Sequence, residues 1–243
     1  MKYKIIGIII IIFFWYLIFF IKESIFFPDP FSVFKKIIFL LQTKELYYNL
    51  FFSLYRVIAG IILSIFIGIP LGLILGYNKK IYKISELAID FFRSVPATAL
   101  FPLTLLIFGI GDLAKIAIVT FSCTLILTLQ TYYGVINVST VRKDILKVLN
   151  SSKVARFKHL LIWEALPHIF SGLRITVSLA LILVIVTEMF IGTNYGLGKK
   201  LIDAQSTYKI LELYSMIIII GTLGFILNKI ILIFERKLIH WRR

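Results

Sequence analysis

Residues 54–77 read Leu-Tyr-Arg-Val-Ile-Ala-Gly-Ile-Ile-Leu-Ser-Ile-Phe-Ile-Gly-Ile-Pro-Leu-Gly-Leu-Ile-Leu-Gly-Tyr, and Arg56 is the one charged residue among them. A continuous apolar run of about 20 residues can cross a ~30 Å hydrocarbon layer as a helix. A helix is favoured over a strand because it satisfies its own backbone in lipid, whereas membrane strands alternate in hydrophobicity. This stretch therefore predicts a transmembrane helix.

Similar runs on both sides predict an all-α, polytopic membrane helix bundle with six transmembrane helices in a single domain, residues 1–243. The predicted spans are residues 5–21, 54–77, 87–108, 113–136, 170–191 and 213–234. The chain is 60% hydrophobic and only 16% charged, whereas soluble domains carry about 25% charged residues. No small-residue cleavage site follows residues 5–21, so we expect a retained helix rather than a signal peptide.

The distribution of Lys and Arg predicts the orientation. With the N-terminus inside, the predicted cytoplasmic segments hold 15 of these residues and the external segments hold 8, which favours cytoplasmic N- and C-termini in the cell membrane. The net charge of +15 is then explained by anionic lipid headgroups, and we expect no nucleic-acid partner. Between the first two spans, the apolar spacing of residues 31–42 predicts an interfacial helix.

The longest predicted cytoplasmic connection, residues 137–169, contains a short amphipathic pattern. Ile145, Val148 and Leu149 have helical i, i+3, i+4 spacing, Asn150 suits a left-handed turn, and Ser151 or Ser152 can cap a second helix. Two interpretations stay open from spacing alone. The hairpin inserts into a groove on a soluble partner, or it lies as an amphipathic loop on headgroups.

This connection resembles the membrane subunits of binding-protein-dependent ABC importers. The family has a Glu-Ala-Ala motif, then a glycine, then Leu-Pro before the next span; here these positions hold 144–146 (Asp-Ile-Leu), Asn150 and 166–167 (Leu-Pro). Further similar segments are 70–72 (Pro-Leu-Gly), 93–96 (Arg-Ser-Val-Pro), 108–111 (Phe-Gly-Ile-Gly), 172–174 (Gly-Leu-Arg), 186–189 (Val-Thr-Glu-Met), 197–198 (Leu-Gly) and 203–205 (Asp-Ala-Gln). The resemblance is greatest to the branch that handles sulfonates, taurine, nitrate and thiamine-precursor pyrimidines.

The resemblance implies the ABC importer type I permease fold and a transport role without enzymatic activity on this chain. It implies a permease homodimer, two ATPase subunits that hold ATP and Mg²⁺, and an extracytoplasmic solute-binding protein. The hairpin would be the coupling helix, and a small anion such as a sulfonate, taurine or nitrate would be the solute, with a thiamine-precursor pyrimidine as the alternative. The predicted ATPase-coupling residues are Asp144, Lys147, Val148, Leu149, Asn150, Ser151, Ser152, Lys153 and Arg156.

Small residues recur every four positions along the second span. The stripe comprises Gly60, Ser64, Gly68, Gly72 and Gly76, and such stripes allow close helix packing in lipid. We expect it to pack against another helix of this subunit or of a second copy. Pro70 lies in the same helix and predicts a kink.

Ionisable residues inside predicted spans are candidates for function because their insertion is costly. Glu188 lies deepest, and two hypotheses stay open for it: it pairs with an Arg of another helix, or it lines the translocation path together with Thr187 and Arg93. We expect Arg56 and Arg174, which lie near helix starts, to snorkel to the interface.

The sequence contains no pattern typical of catalysis or of a metal site. Cys123 is the single cysteine, so no intrachain disulfide can form. Residues 192–200 have the wrong glycine spacing for a P-loop, and we interpret them as a connecting loop. No cofactor is expected on this chain. A self-sufficient channel, a secondary transporter and a scaffold without transport are the rival classes.

Overall fold

The computed structural model describes residues 2–21, 24–139, 141–142, 145, 148–149, 152 and 160–239. Within these ranges the protein is helical and has no strand, so the predicted all-α class is confirmed. The α-helices are α1 (Lys2–Ile21), α2 (Pro30–Leu41), α3 (Lys44–Tyr77), α4 (Lys79–Ser94), α5 (Phe101–Phe108), α6 (Asp112–Ile136), α7 (Ile162–Phe190), α8 (Leu197–Ser206) and α9 (Ile210–Leu238), and a 3-10 turn at Ala97–Leu100 precedes α5.

Helices α3 and α6 run parallel at the centre of the bundle. Gly60 of α3 lies against Val119 of α6, and Gly76 lies against Val135, so residue numbers rise together along the contact. Two parallel spans require that the chain crosses back between them. Helices α4 and α5 together therefore make one return crossing.

This return crossing is broken. The pair formed by α4 and the following Ala97–Phe108 segment is bent by 90°. Val95 adopts an extended conformation, as the residue before a proline must to avoid the ring, and Pro96 has no N–H with which to continue the helix. The prediction of one continuous helix over residues 87–108 is therefore wrong.

The described residues support most of the six predicted spans. Four described helices are long and apolar enough to cross a membrane, namely α3, α6, α7 and α9, and the bent pair gives a fifth. Helix α1, Lys2–Ile21, coincides with the predicted span 5–21. By length and composition the described residues thus give four to five spans, and α1 lies where the remaining span is predicted.

Helix α7 runs antiparallel to α6. Near the end of α6, Gly134 lies against Ala165. Closer to the start of α6, Cys123 Sγ lies 3.7 Å from the Thr176 carbonyl oxygen. The bundle therefore has two distinct ends. We call the end where residues 137–161 join α6 to α7 the connection end, and the end where α6 begins and α7 finishes the distal end.

Helix α2 lies at the distal end, against the start of α9. The Asp29 carboxylate caps α2 by accepting hydrogen bonds from two backbone N–H groups of its first turn, at 2.8 and 3.1 Å. Val33 and Leu40 are buried on its inner face, and Phe34 is exposed on the outer face. The helix predicted over residues 31–42 is confirmed, and its amphipathic surface suits a membrane interface.

Candidate functional site

A buried arginine joins three helices at the distal end. The Arg56 side chain of α3 is 2% exposed, and its Nε and Nη2 atoms lie 2.8 and 2.7 Å from Asp112 Oδ1 at the start of α6. Its Nη1 atom donates to Glu188 Oε1 of α7 at 2.5 Å and to the Tyr195 carbonyl at 2.8 Å, and Nη2 donates to Thr193 Oγ1 at 3.0 Å. One guanidinium therefore connects α3, α6, α7 and the segment after α7.

Glu188, at the other side of this contact, is fully enclosed. Its side chain is 0% exposed. Ser53 Oγ lies 2.8 and 2.9 Å from the two carboxylate oxygens, and the Gly198 N–H donates to Oε2 at 2.8 Å. Ser53 Oγ also accepts the Leu197 N–H at 2.9 Å. A buried carboxylate is tolerated only when its charge is paired and its oxygens are hydrogen-bonded, and both conditions are met here.

The segment after α7 reaches Glu188 because it contains glycine. A Cβ atom at Gly196 would lie 2.4 Å from Glu188 Cδ, and one at Gly198 would lie 2.2 Å from the Ile185 carbonyl oxygen. Gly196 has φ +156°, and its N–H donates to Asn49 Oδ1 at 2.7 Å. Residues 192–196 are a connecting loop, as predicted, but the predicted loop over 192–200 extends too far because α8 begins at Leu197.

A second buried cation lies beside this ion cluster, which we define as Arg56, Asp112 and Glu188. Lys115 of α6 is 1% exposed, and its Nζ donates to the Gly111 carbonyl at 3.1 Å. Two cations thus face two carboxylates, which limits the cost of burying each charge. Because the Glu188 oxygens are occupied by donors, the cluster suits the fastening of helices rather than nucleophilic or acid–base chemistry.

The structure bears on the expectations for three ionisable residues of the predicted spans. Arg56 does not snorkel. Its guanidinium is buried, because the carboxylates of Asp112 and Glu188 compensate the charge that would otherwise have to reach water. Arg174 is exposed, as a snorkelling residue would be. Of the two hypotheses for Glu188, the structure shows the pairing with an Arg from another helix.

Of the three candidates for the translocation path, Thr187 and Glu188 are neighbours in α7, whereas Arg93 is on α4. Glu188 is enclosed, and Thr187 is buried and donates from Oγ1 to the Val184 carbonyl at 2.9 Å. The Arg93 side chain is 57% exposed and lies 3.7 Å from Asp90 on the same helix. The ion cluster does not include Arg93, and a role of these three residues in transport stays a prediction.

Sequence reasoning missed most partners of Glu188, although part of the pattern was present. Asn49, Ser53 and Arg56 lie at i, i+4 and i+7, on one face of α3. A polar row of this kind at the start of an apolar helix indicates a buried polar contact. The contribution of Asp112 and of Gly198 could not be found in this way, because it depends on contacts between distant parts of the chain.

The stripe of small residues lies in the contact between α3 and α6. Cβ atoms at Gly60, Gly68, Gly72 and Gly76 would all lie within 3.0 Å of atoms of α6, and at Gly72 the nearest atom is a backbone carbonyl oxygen at 2.4 Å. Ser64 is completely buried in the same row. The stripe thus allows the backbones of two parallel helices to come close together.

The connection end presents apolar side chains to solvent. Val148 is 82% exposed and Leu149 is 68% exposed, and the Leu149 N–H donates to the Ile145 carbonyl at 3.0 Å, as in a helical turn. At this end a buried cluster joins the end of α6 to the start of α7. Its members are Val135, Val138, Leu160, Leu161, Ala165 and Ile169.

An ion pair also joins the segment after α6 to α7. Arg142 forms an ion pair with Glu164 in the first turn of α7. Of the predicted ATPase-coupling residues, Ser152 is exposed, as are Val148 and Leu149. The remaining predicted coupling residues, which are Asp144, Lys147, Asn150, Ser151, Lys153 and Arg156, lie outside the described residues.

Residues 68–240 match the model of a protein family described as the binding-protein-dependent transport system inner membrane component. A probable ABC transporter permease of Brucella abortus (strain 2308) is 28% identical over 215 residues, which cover 88% of this chain and 86% of the relative. A putative aliphatic sulfonates transport permease of Bacillus subtilis (strain 168) is 25% identical over 215 residues, covering 88% and 78%. A chain of the MetNI methionine ABC transporter, solved in an inward-facing conformation, matches with a TM-score of 0.71 at 18% identity, covering 84% of this chain and 98% of that one.

Proposed function

This chain belongs to the binding-protein-dependent transport system inner membrane component family, and we propose that its connection end couples an ATPase on another polypeptide to solute movement. The chain is a membrane-spanning ABC importer permease with the predicted type I fold. The family implies an ATPase and a solute-binding protein as partners. ATP and Mg²⁺ are then bound on the ATPase, and this chain performs no hydrolysis.

The exposed apolar turn at 145–149 carries this proposal. Val148 and Leu149 are 82% and 68% exposed, and contact with water is unfavourable for such side chains in a segment outside the membrane. A groove on a soluble partner would bury both. The buried cluster at this end and the Arg142–Glu164 ion pair join the end of α6 and Arg142 to the start of α7, so that a push from the partner would reach both helices.

The connection end then faces the cytoplasm. The excess of basic residues in residues 137–169 and at both termini supports this orientation, which also places the N- and C-termini inside the cell. The distal end, with the ion cluster, α2 and α8, faces the exterior and meets the solute-binding protein.

Two copies of the permease complete the transport path. Two arguments support this homodimer: the family resemblance, and the broad exposure of α4 and α5, where Leu87 is 82% exposed and Leu106 is 85% exposed. Both residues lie on the bent crossing, whose two halves are joined by a break rather than by continuous helical hydrogen bonds. Movement of this crossing against the α3–α6–α7 unit would open the path alternately to each side.

The solute proposed is a small anion of the sulfonate, taurine or nitrate type. The resemblance to the sulfonate permease of Bacillus subtilis supports it. Competition in an uptake assay tests it: an excess of an aliphatic sulfonate is expected to abolish uptake of the labelled solute. Inhibition by a thiamine-precursor pyrimidine alone would favour that alternative.

The coupling proposal is tested by replacing both Val148 and Leu149 with Asp. The double variant is expected to insert into the membrane but to lose solute-stimulated ATP hydrolysis and uptake, because two carboxylates cannot be buried in an apolar groove. The measurement is ATP hydrolysis and uptake in liposomes that contain the permease, its ATPase and the binding protein.

The matched control keeps the turn apolar. The Val148→Ile/Leu149→Met variant changes the shape of the same two side chains without adding charge, and it is expected to retain most of the coupled activity. If the Asp variant still hydrolyses ATP in response to solute, the docking assignment is wrong.

A further inference from the structure

A groove of about 400 Å³ lies between α2 and α9 at the distal end. Its lining residues are Ser32, Lys35, Lys36, Phe39 and Leu211. Phe39 is 57% exposed and Leu211 is 40% exposed, so the groove has an apolar wall, while the two lysines lie together on α2. A mixed lining of this kind suits a ligand with an anionic part and an apolar part.

Nearby carboxylates compensate the charge of these lysines only in part. Lys35 is exposed and forms no ion pair within the part of the chain that the structure describes. Lys36 Nζ lies 3.7 Å from Glu212 Oε2, and Lys200 Nζ lies 3.6 Å from the other oxygen of the same carboxylate. Lys200 also pairs with Glu45 at 2.6 Å. Lys36 and Lys200 therefore share two carboxylates, and Lys35, unpaired among the described residues, leaves the rim of the groove with a positive charge.

The position of the groove relative to the membrane identifies the ligand class. Helix α2 buries one face against the bundle and exposes Phe31 and Phe34 on the other, which places it at the boundary between headgroups and acyl chains. A lysine at this level attracts anionic headgroups. A free phosphate would meet the charge but would leave Phe39 and Leu211 uncovered, whereas a phospholipid satisfies both.

We propose that the groove between α2 and α9 binds one anionic glycerophospholipid, with its phosphate at Lys35 and Lys36 and an acyl chain along Phe39 and Leu211. The lipid bridges two helices that are far apart in sequence. It thereby supports the interfacial helix against α9, where the Ser215 hydroxyl lies 3.3 Å from the Val33 carbonyl.

The test measures binding of short-chain phosphatidylglycerol to the full-length protein in phosphatidylcholine nanodiscs. The Lys35→Gln/Lys36→Gln variant is expected to bind about thirtyfold more weakly, since two lysine contributions are lost. The Leu211→Trp variant is expected to lose binding as well, because it fills the groove without changing the charge. The double lysine variant alone keeps the test decisive if the tryptophan variant does not fold.

The matched control is Lys79→Gln/Lys80→Gln, which removes two adjacent exposed lysines at the other end of the molecule. It is expected to bind phosphatidylglycerol as the native protein does, and millimolar inorganic phosphate is expected not to compete. Equal weakening in the control, undiminished binding in a folded Leu211→Trp variant, or displacement by phosphate would each overturn the proposal.

Discussion

Arg56 illustrates how one side chain can organise the distal end. Its planar guanidinium directs N–H groups to Asp112, Glu188, Thr193 and the Tyr195 carbonyl at the same time. A lysine could not replace it, because an ammonium is a point charge without this fork geometry. The local consequence is that neither buried carboxylate oxygen of Glu188 lacks a donor.

Replacement of Arg56 by Met is expected to destabilise the protein by about 3–5 kcal/mol, because Glu188 then stays buried without its counter-charge. The measurement is denaturant unfolding in detergent. The double variant Arg56→Met/Glu188→Gln is expected to recover part of this loss, since it removes both charges together.

The matched control at this position is Arg93→Met. Arg93 is exposed and lies 3.7 Å from Asp90 on its own helix, so its loss is expected to cost less than about 1 kcal/mol. Equal destabilisation by the two arginine variants would show that the ion cluster contributes no more to the free energy of unfolding than an exposed ion pair does.

At the scale of elements, the contact between α3 and α6 depends on glycines, which have no side chain. The four glycines of the stripe place α3 so close to α6 that any Cβ atom would overlap with it. Since apolar burial drives helix association only weakly in lipid, close packing of this kind is the main source of affinity between the two helices.

A Gly72→Ala variant is expected to destabilise the bundle by about 1–3 kcal/mol, the usual cost of overpacking. Its Cβ atom would lie 2.4 Å from the Thr128 carbonyl oxygen, and a backbone atom cannot move aside as a flexible side chain can. Gly221→Ala in α9 is the control, because nothing lies within 4 Å of its Cβ position. Thermal unfolding that ranks the two variants equally would contradict the packing role.

Helix α2 is expected to depend on its cap. Hydrogen bonds from Ser32 and Phe31 lower the pKa of Asp29 below its ordinary value of 3.8. The cap therefore stabilises the helix fully above about pH 3.8, and its contribution is lost as the pH falls through the lower folded-state pKa.

Replacement of Asp29 by Ala should accordingly weaken α2 by about 1 kcal/mol at neutral pH, while Asp29→Asn should retain the cap. Hydrogen exchange of the first turn of α2 measures the difference. An Asp29→Ala variant with native exchange rates would exclude the cap as a stabilising contact.

The elements that the sequence predicts well are those with a continuous local pattern. The apolar runs after residues 53, 112, 169 and 212 all lie within helices, because lipid requires that each span satisfies its own backbone. The break near Pro96 was missed, since a run of apolar residues hides a bend. The pairing of Arg56 with Glu188 was missed in part, because 131 residues lie between them and no local period links them.

At the scale of the whole molecule, the two ends have opposite character. Ion pairs join α3, α6 and α7 at the distal end, whereas Val148 and Leu149 are exposed at the connection end. We expect this difference between the ends in a subunit that a separate partner drives through its connection end. Under the proposed function, the surface of the ATPase would supply the contact that the connection end lacks.

The central claim is tested most directly by crosslinking from Leu149 in the assembled transporter. Cys123 is completely buried, so a cysteine introduced as Leu149→Cys offers a specific attachment point for a short photo-reactive probe. We predict that illumination links this position to the ATPase subunit, and that a membrane-impermeant thiol reagent reaches it only from the cytoplasmic side. Labelling from the exterior, or crosslinks to lipid alone, would contradict the account.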